Sequence, residues 1–190
     1  MRGTSEAAQA ERRRRVMDAA VVLAARGGLE GLRIRDLVAD TGVSSATIYR
    51  YFASKEHLLL AALAEQRFAL MRDPGEAGPD GTTPAARVIE VLRRPTDALT
   101  RAPRLAAAML QAMTSGEPDV ARVLAALTEP LVAETAHAIR PQNPAPADYE
   151  LARTLQRVWF AAVVGWVTAG ETADSITQAV HTAAHQLLDS

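Results

Sequence analysis

The fold of this chain is decided by residues 32–52, which read LRIRDLVADTGVSSATIYRYF. Apolar residues recur there every three or four positions, a spacing that predicts two helices of about two turns each. We place these helices at Ile34–Thr41 and Ser45–Tyr51. Gly42 falls between them, where the chain must reverse with a positive φ angle that glycine adopts without steric penalty. The stretch is therefore predicted to form a helix-turn-helix.

The second helix of this motif divides into a buried side and an exposed side. Ser44 is placed to cap it by accepting a hydrogen bond from the amide of Thr47. Ile48 and Phe52 lie four residues apart and are expected to pack against Leu37 and Ile34 of the first motif helix. The outward side then carries Ala46, Thr47, Tyr49 and Arg50. A rigid helix with a hydroxyl, a phenol and a guanidinium fits the major groove of DNA, where base edges are distinguishable. The alternative is an ordinary helical hairpin with solvated polar residues.

The rest of the chain shows helical spacing and almost no strand signals. A first helix is predicted over residues 6–26, stopped at Gly27-Gly28 because glycine favours the left-handed cap conformation. Ser54 is expected to cap a fourth helix over residues 55–71, and a linker rich in Pro and Gly follows at residues 73–81. Five more helices are predicted near residues 84–100, 103–114, 117–140, 148–169 and 172–188. The fold class is thus all-α, with about nine helices.

Charge is distributed unevenly along the chain. The whole sequence of 190 residues carries 21 Lys and Arg against 22 Asp and Glu, for a net charge of −1. Residues 1–72 hold 12 basic and 8 acidic residues, a net +4, whereas residues 73–190 hold 9 and 14, a net −5. A basic head on an acidic body is expected of a DNA-binding module joined to a domain with another task.

The motif also resembles a known family. The residues that carry the resemblance are Gly42-Val43-Ser44, Thr47-Ile48-Tyr49, Phe52 and Ser54-Lys55-Glu56-His57-Leu58. Together they are similar to the signature of the TetR (tetracycline-repressor) family, over about residues 8–60. The resemblance implies an all-helical homodimer that represses transcription at a double-stranded DNA operator until a small molecule binds. It also implies a helix-turn-helix DNA-binding domain at residues 1–54 and a ligand-binding and dimerisation domain at residues 55–190.

The resemblance assigns DNA contacts to residues of the motif. The predicted set is Arg33, Ser45, Ala46, Thr47, Tyr49, Arg50, Tyr51 and Lys55. Lys55 has a physical argument of its own, because a lysine at a helix N-terminus attracts a phosphate. Arg33 stands where the family usually has threonine, so it either weakens the cap of the first motif helix or contacts a phosphate. The run Arg12-Arg13-Arg14-Arg15 has two possible roles: it forms a solvated helix surface, or some of its members contact DNA phosphates.

The C-terminal region supplies candidates for a ligand site. It is rich in Ala, Val and Leu, and pockets between bundled helices commonly bind small molecules. The candidate ligand contacts are Met109, Met113, Trp159 and Phe160. They favour an apolar, bulky ligand, because methionine and aromatic side chains adapt to such molecules. The alternative for each residue is an ordinary core position.

The last two helices are candidates for the dimer interface. Small residues recur on the first of them at Ala161, Ala162, Gly165 and Ala169, a spacing that allows helices to approach closely. In the family that the chain resembles, the corresponding helices pair with those of a second copy as a four-helix bundle. The alternative function is a helix-turn-helix regulator with no small-molecule ligand, whose body serves only dimerisation or binds a protein partner.

Other functions lack support in the sequence. The absence of cysteine excludes disulfides and thiolate metal sites, and His181 and His185 have no obvious third ligand, so no metal and no cofactor are predicted. We find no paired carboxylates, phosphate-binding loop or nucleophile motif, and expect no enzyme. The apolar stretch Val158–Ala169 is too short to span a membrane, and no signal peptide is evident, so a cytoplasmic protein is expected.

Overall fold

The computed structural model of the chain describes residues 2–71 and 81–189, with side chains placed from residue 6 to 66 and from 81 to 189. Within these ranges there are no strands and nine helices: α1 (Arg2–Gly31), α2 (Ile34–Thr41), α3 (Ser45–Tyr51), α4 (Lys55–Met71), α5 (Pro84–Arg101), α6 (Pro103–Met113), α7 (Pro118–Ile139), α8 (Pro146–Thr168) and α9 (Ala173–Leu188). The predicted all-α class is confirmed. The predicted linker lies outside the described residues except for Gly81.

The predicted helix bounds agree with the structure to within two residues everywhere except in α1. The predicted start at residue 6 is four residues too late, because α1 begins at Arg2, whereas the predicted stop at Gly27-Gly28 coincides with a break in the helix, beyond which one short turn continues to Gly31. Of the two glycines expected to end the helix, only Gly28 leaves the helical conformation, with φ 66° and ψ −166°. Leu29 and Leu32 just beyond this break are buried, and their burial stabilises the additional turn.

One compact unit contains α1 to α4, α6 and the first part of α7, up to Leu127. In this unit α1 packs along α4 and α6, α4 also packs on α6, and both α2 and α3 pack against α1. Arg104 at the start of α6 donates a hydrogen bond to the carbonyl oxygen of Arg26 at 2.6 Å. The unit is larger than the predicted DNA-binding domain, residues 1–54, because it includes α4 and α6. The functional boundary at residue 54 stays a prediction.

A second compact unit contains α5, the part of α7 from Thr128 onward, α8 and α9. α9 packs against both α8 and α5, and the largest buried side chains of this core are Leu92, Leu155, Trp159 and Ile176. The indole N–H of Trp159 donates a hydrogen bond to the hydroxyl of Thr96 at 2.9 Å, and this hydroxyl donates to the carbonyl of Leu92 at 2.7 Å. The buried polar atoms of Trp159 and Thr96 are thereby satisfied.

The turn of the helix-turn-helix forms as its residues predict. α2 ends at Gly42, whose φ is 68° and whose amide donates to the carbonyl of Val38 at 2.9 Å. Thr41 stabilises the reversal, because its hydroxyl donates to the carbonyl of Leu37 at 2.6 Å and accepts the amide of Val43 at 3.2 Å. Val43 is buried under the turn. These bonds fix the position of α3 relative to α2.

The start of α8 is determined by one buried carboxylate. Asp148 is 4% exposed and accepts hydrogen bonds from the amide of Ala145 at 2.7 Å and from Nε of Arg140 at 2.9 Å. Arg140 directly follows α7, so the carboxylate joins the end of α7 to the start of α8. An N-terminal acidic residue also interacts favourably with the helix dipole.

Replacing Asp148 with alanine is expected to lower the free energy of unfolding by about 1 kcal/mol, because it removes the acceptor that caps α8 at the half-buried amide of Ala145. Urea denaturation followed by circular dichroism measures the change. The matched control is Glu150→Ala, which removes an exposed carboxylate that pairs with Arg153 on the same helix. It is expected to cost less than about 0.5 kcal/mol. Equal losses in the two variants would contradict the role given to Asp148.

The turn generates a second prediction, that Gly42→Ala lowers the free energy of unfolding by about 1 kcal/mol. No atom lies within 4 Å of an added β-carbon at Gly42, so the loss comes from the positive φ alone. Gly27→Ala is the control, because the same space is open there but the backbone is helical, where alanine is neutral or stabilising by up to about 1 kcal/mol. Thermal and urea denaturation compare the two. A similar response of both variants would show that the turn does not require glycine.

Candidate nucleic-acid interface

The N-terminus of α3 is capped as the sequence predicts. Ser44 has extended backbone angles, and its Oγ accepts the amide of Thr47 at 3.3 Å. The hydroxyl of Ser44 also donates to Oγ1 of Thr47 at 3.0 Å. The hydroxyl proton of Thr47 is then free to turn toward a base edge or a phosphate, because its oxygen already serves as the acceptor for Ser44.

The inward side of α3 is fully packed. Ile48 and Phe52 are 1% and 2% exposed, and Leu37 of α2 is completely buried, as the spacing predicts. Ile34, the other residue of α2 that faces this side in the prediction, is only half-buried. Phe52 is the C-cap residue of α3, and its amide donates to the carbonyl of Ile48 at 3.0 Å. The orientation of α3 is therefore set by residues at its middle and at its end.

The outward side of α3 is open to solvent. Ser45, Ala46, Tyr49 and Arg50 are all exposed, and Tyr49 is 56% exposed, which is unusual for a large aromatic residue. An exposed aromatic on a short helix commonly marks a binding surface. The guanidinium of Arg50 lies 5.5 Å from the centre of the Tyr51 ring, a distance typical of a cation–π contact. The structure thus brings these four predicted residues together on one surface.

Tyr51 differs from Tyr49 in its surroundings. Its ring is half-buried, packs edge-on against Phe52, and lies beneath Arg50. Its hydroxyl is buried and has no hydrogen-bond partner among the described residues. Of the two phenols predicted to contact DNA, only that of Tyr49 belongs to an exposed residue. A DNA contact by Tyr51 stays a prediction.

The structure places the two cationic residues at the edge of the motif in different environments. Lys55 donates to the carbonyl of Leu29 at 3.3 Å and to the carboxylate of Glu30 at 3.2 Å, and its side chain is 30% exposed. A phosphate at Lys55 would share the ammonium group with these partners. Sequence reasoning missed them because they depend on the extra turn of α1 beyond Gly28. Arg33 is exposed, occupies the N-cap position of α2 and makes no capping hydrogen bond with its side chain.

The arginine run of α1 is not uniform. Arg14 is exposed and donates to Glu11, one turn earlier on the same helix, at 2.9 Å. This hydrogen bond and the charge of Glu11 raise the pKa of the Arg14 guanidinium above its ordinary value. Arg13 instead forms an ion pair with Glu65 of α4 at 2.7 Å. Arg15 is exposed. DNA contacts by members of this run stay a prediction.

The four candidate ligand contacts are divided between the two compact units. Met109 is buried and Met113 half-buried on α6, in the first unit, whereas Trp159 and Phe160 of α8 belong to the core of the second. A small groove of about 50 Å³ lies between α5 and α9 and contains none of the four. Its lining residues are Ile89, Leu92, Arg93, Thr96, Thr177, Val180 and His181. The ligand contacts stay a prediction.

Two further sequence expectations concern metals and membranes. The rings of His181 and His185 lie 6.1 Å apart, and Nδ1 of His185 is 2.6 Å from the carboxylate of Asp189. No group of three or more His, Cys, Asp or Glu side chains able to hold a metal ion occurs among the described residues. Over the same ranges, no helix has both the length and the apolar character that crossing a membrane requires.

Two stretches of the chain match family models. Residues 16–62 match the model described as bacterial regulatory proteins, tetR family, and residues 81–187 match the tetracyclin repressor-like C-terminal domain. The second match covers more than half of the chain. It extends the resemblance of the motif to the C-terminal region, where the sequence alone offered only a similar number of helices.

Full-length relatives and solved structures agree with these matches. The chain is 32% identical over 184 residues to the HTH-type transcriptional repressor KstR of Rhodococcus jostii (strain RHA1), covering 97% of this chain and 86% of the relative. KstR of Mycobacterium tuberculosis (strain ATCC 25618 / H37Rv) is 28% identical over 181 residues, covering 95% and 82%. A crystal structure of a TetR transcriptional regulator from Rhodococcus sp. RHA1 has a TM-score of 0.73 and 26% identity, over 93% of this chain and 95% of that one. The chain therefore belongs to the TetR family of bacterial regulatory proteins.

Proposed function

We propose that this chain is a homodimeric transcriptional repressor that binds an operator through α3 and leaves it when an apolar small molecule binds to its helical body. The relatives of known name are described as repressors, and they align along almost the full chain. The observation that carries the DNA-binding part is the surface of α3, where an exposed Tyr49 and Arg50 stand on a helix fixed by the buried Ile48 and Phe52. In this proposal the protein acts by binding DNA and a ligand, and it catalyses no reaction.

The dimensions of α3 suit the major groove. An α-helix with its side chains is about 10–12 Å across, and the groove is about 12 Å wide. Thr47 and Tyr49 offer hydroxyl groups, and Arg50 can donate two parallel hydrogen bonds to a guanine. Two such helices in a symmetric dimer would contact two half-sites of a palindrome, separated by one helical turn of DNA or a multiple of it.

The dimer part of the proposal is supported by the surface of α8 and α9. Ala161 is exposed, Val164, Trp166 and Val167 are only half-buried, and Leu187 of α9 is 41% exposed. Apolar side chains left partly exposed on neighbouring helices are typical of a subunit interface. Gly165 has a separate role, because the carboxylate of Glu171 occupies the space next to it and a β-carbon would lie 2.7 Å from Glu171 Oε2.

Ligand release would act through α4. This helix follows α3 after three residues and packs on α1 and on α6, the helix that carries Met109 and Met113. A ligand that contacts these methionines can bias the position of α6 and hence of α4 and α3. It releases DNA only to the extent that it binds one arrangement of these helices better than the other.

The DNA-binding part predicts that Tyr49→Ala and Arg50→Ala each weaken operator affinity about tenfold or more, since a base contact is lost. Electrophoretic mobility shift on the DNA that flanks the chain's own gene measures this, and sedimentation of the complex is expected to give two chains per operator or a multiple. Arg101→Ala is the matched control, because it removes an exposed arginine from α5. Operator binding that persists in both α3 variants would show that another helix enters the groove.

The ligand-release part predicts a stabilising molecule among apolar ligands and acyl-CoA esters. Such a molecule is expected to raise the melting temperature and to weaken operator binding at saturation. Met113→Ala should weaken its binding about tenfold, because apolar contact area is lost, whereas Tyr149→Ala in the other unit should not. Tyr149 is the control because it is half-buried against a different cluster, that of Val132 and Ala136. If no ligand stabilises the chain or changes operator affinity, the body serves dimerisation or a protein partner instead.

A further inference from the structure

Arg13 differs from its neighbours in the arginine run because it contacts two other helices. Its Nη1 donates a hydrogen bond to Oε2 of Glu65, on α4, at 2.7 Å. Its guanidinium carbon lies 5.3 Å from the centre of the Phe52 ring. Phe52 is the buried C-cap residue of α3. One side chain of α1 therefore contacts both α4 and the end of the recognition helix.

The chemistry of arginine suits this double contact. The edge of a guanidinium donates hydrogen bonds in its plane to a carboxylate while its face stacks on an aromatic ring, whereas a lysine offers only a compact charge. The side chains of Arg13 and Glu65 are 39% and 49% exposed. An ion pair with this exposure adds little to global stability, so its effect is expected in the local arrangement of the helices.

The contact holds α4 at a second point along its length. Near its start, α4 is held by two hydrogen bonds to the residues that connect it to α3: the amide of Ala53 donates to Nδ1 of His57 at 3.1 Å, and the amide of His57 donates to Oγ of Ser54 at 3.1 Å. The ring of His57 also packs edge-on against Phe52, with 5.8 Å between ring centres. Glu65 lies about two turns further along α4. Two contacts separated along α4 fix the direction of its axis relative to α3, whereas a single contact would leave α4 free to pivot.

We propose that Arg13 is a positioning residue that fixes the angle between α4 and the recognition helix by holding Glu65 and Phe52 together, and that it does not neutralise a DNA phosphate. The inference rests on the proposed function, because operator affinity is one of its readouts. It also identifies the contact that makes α3 follow a movement of α4.

The two roles of Arg13 predict opposite effects of Glu65→Gln. If Arg13 positions α3, this variant releases the guanidinium and weakens operator binding about fivefold, although it removes a negative charge. If Arg13 binds a phosphate, the same variant leaves operator binding equal or stronger. Arg13→Gln is expected to weaken binding by the same factor, and the double variant R13Q/E65Q no further, with an unchanged salt dependence. Arg13→Lys is expected to weaken operator binding as much as Arg13→Gln does, although it keeps the positive charge.

Arg15→Gln is the matched control, because it removes one exposed charge from the same helix, and its effect should add to that of Glu65→Gln. Nuclear magnetic resonance of the DNA-free protein gives an independent readout, in which Phe52 ring signals and α3 amide signals shift in the Glu65 and Arg13 variants but not in the Arg15 variant. Unshifted Phe52 signals, or tighter operator binding by Glu65→Gln, would overturn the proposal. If the unchanged chain selects no operator, the proposed function fails, while the DNA-free spectra still decide the role of Arg13.

Discussion

A helix of seven residues is not stable by itself in water, and the recognition helix α3 has only seven. Its stability depends on the burial of Ile48 and Phe52 beneath it, together with the Ser44 cap at its start. Burying two large apolar side chains contributes several kcal/mol, far more than the cap. The exposed side of α3 therefore contributes little to holding the helix in place, which leaves residues such as Tyr49 available for contacts with DNA.

The same dependence links recognition to the rest of the first unit. Phe52 is at once a core residue, the C-cap of α3 and the neighbour of α4 through His57. Because α3 is held mainly by these packed contacts, its position follows the helices that supply them. A displacement of α1 or α4 is then transmitted to the DNA-binding surface without any change inside α3 itself. Short recognition helices offer this combination of internal rigidity and dependence on neighbours.

The bounds of α2, α3 and α4 follow from local signals, since Gly42, Ser44 and Ser54 determine turns and caps through bonds to residues at most four positions away. The break of α1 at Gly28 is a local signal too, but the short turn that follows it is not, because it depends on the burial of Leu29, which is a tertiary effect. The hydrogen-bond partners of the cationic residue Lys55 could not be predicted from the sequence either. Lys55 contacts Glu30 across 25 positions, a pairing that depends on how the helices pack.

The candidate ligand contacts also show what helical spacing cannot predict. An apolar residue on a helix stripe has the same pattern whether it lines a pocket or fills a core, and Trp159 packs in a core with its N–H bonded to Thr96. Sequence periodicity predicts that such a residue turns inward. What it meets there depends on residues far away in the chain.

The two tryptophans of the chain, Trp159 and Trp166, both lie on α8. The unit that carries the helix-turn-helix has none, so intrinsic tryptophan fluorescence originates entirely in the other unit. Far-ultraviolet dichroism, in contrast, averages over all helices. The indole of Trp159 emits from an apolar surrounding with its N–H already bonded, and loosening of that core would shift its emission to longer wavelength. Tryptophan fluorescence therefore reports on the unit that contains α8, and comparison with dichroism times its unfolding against that of the unit without tryptophan.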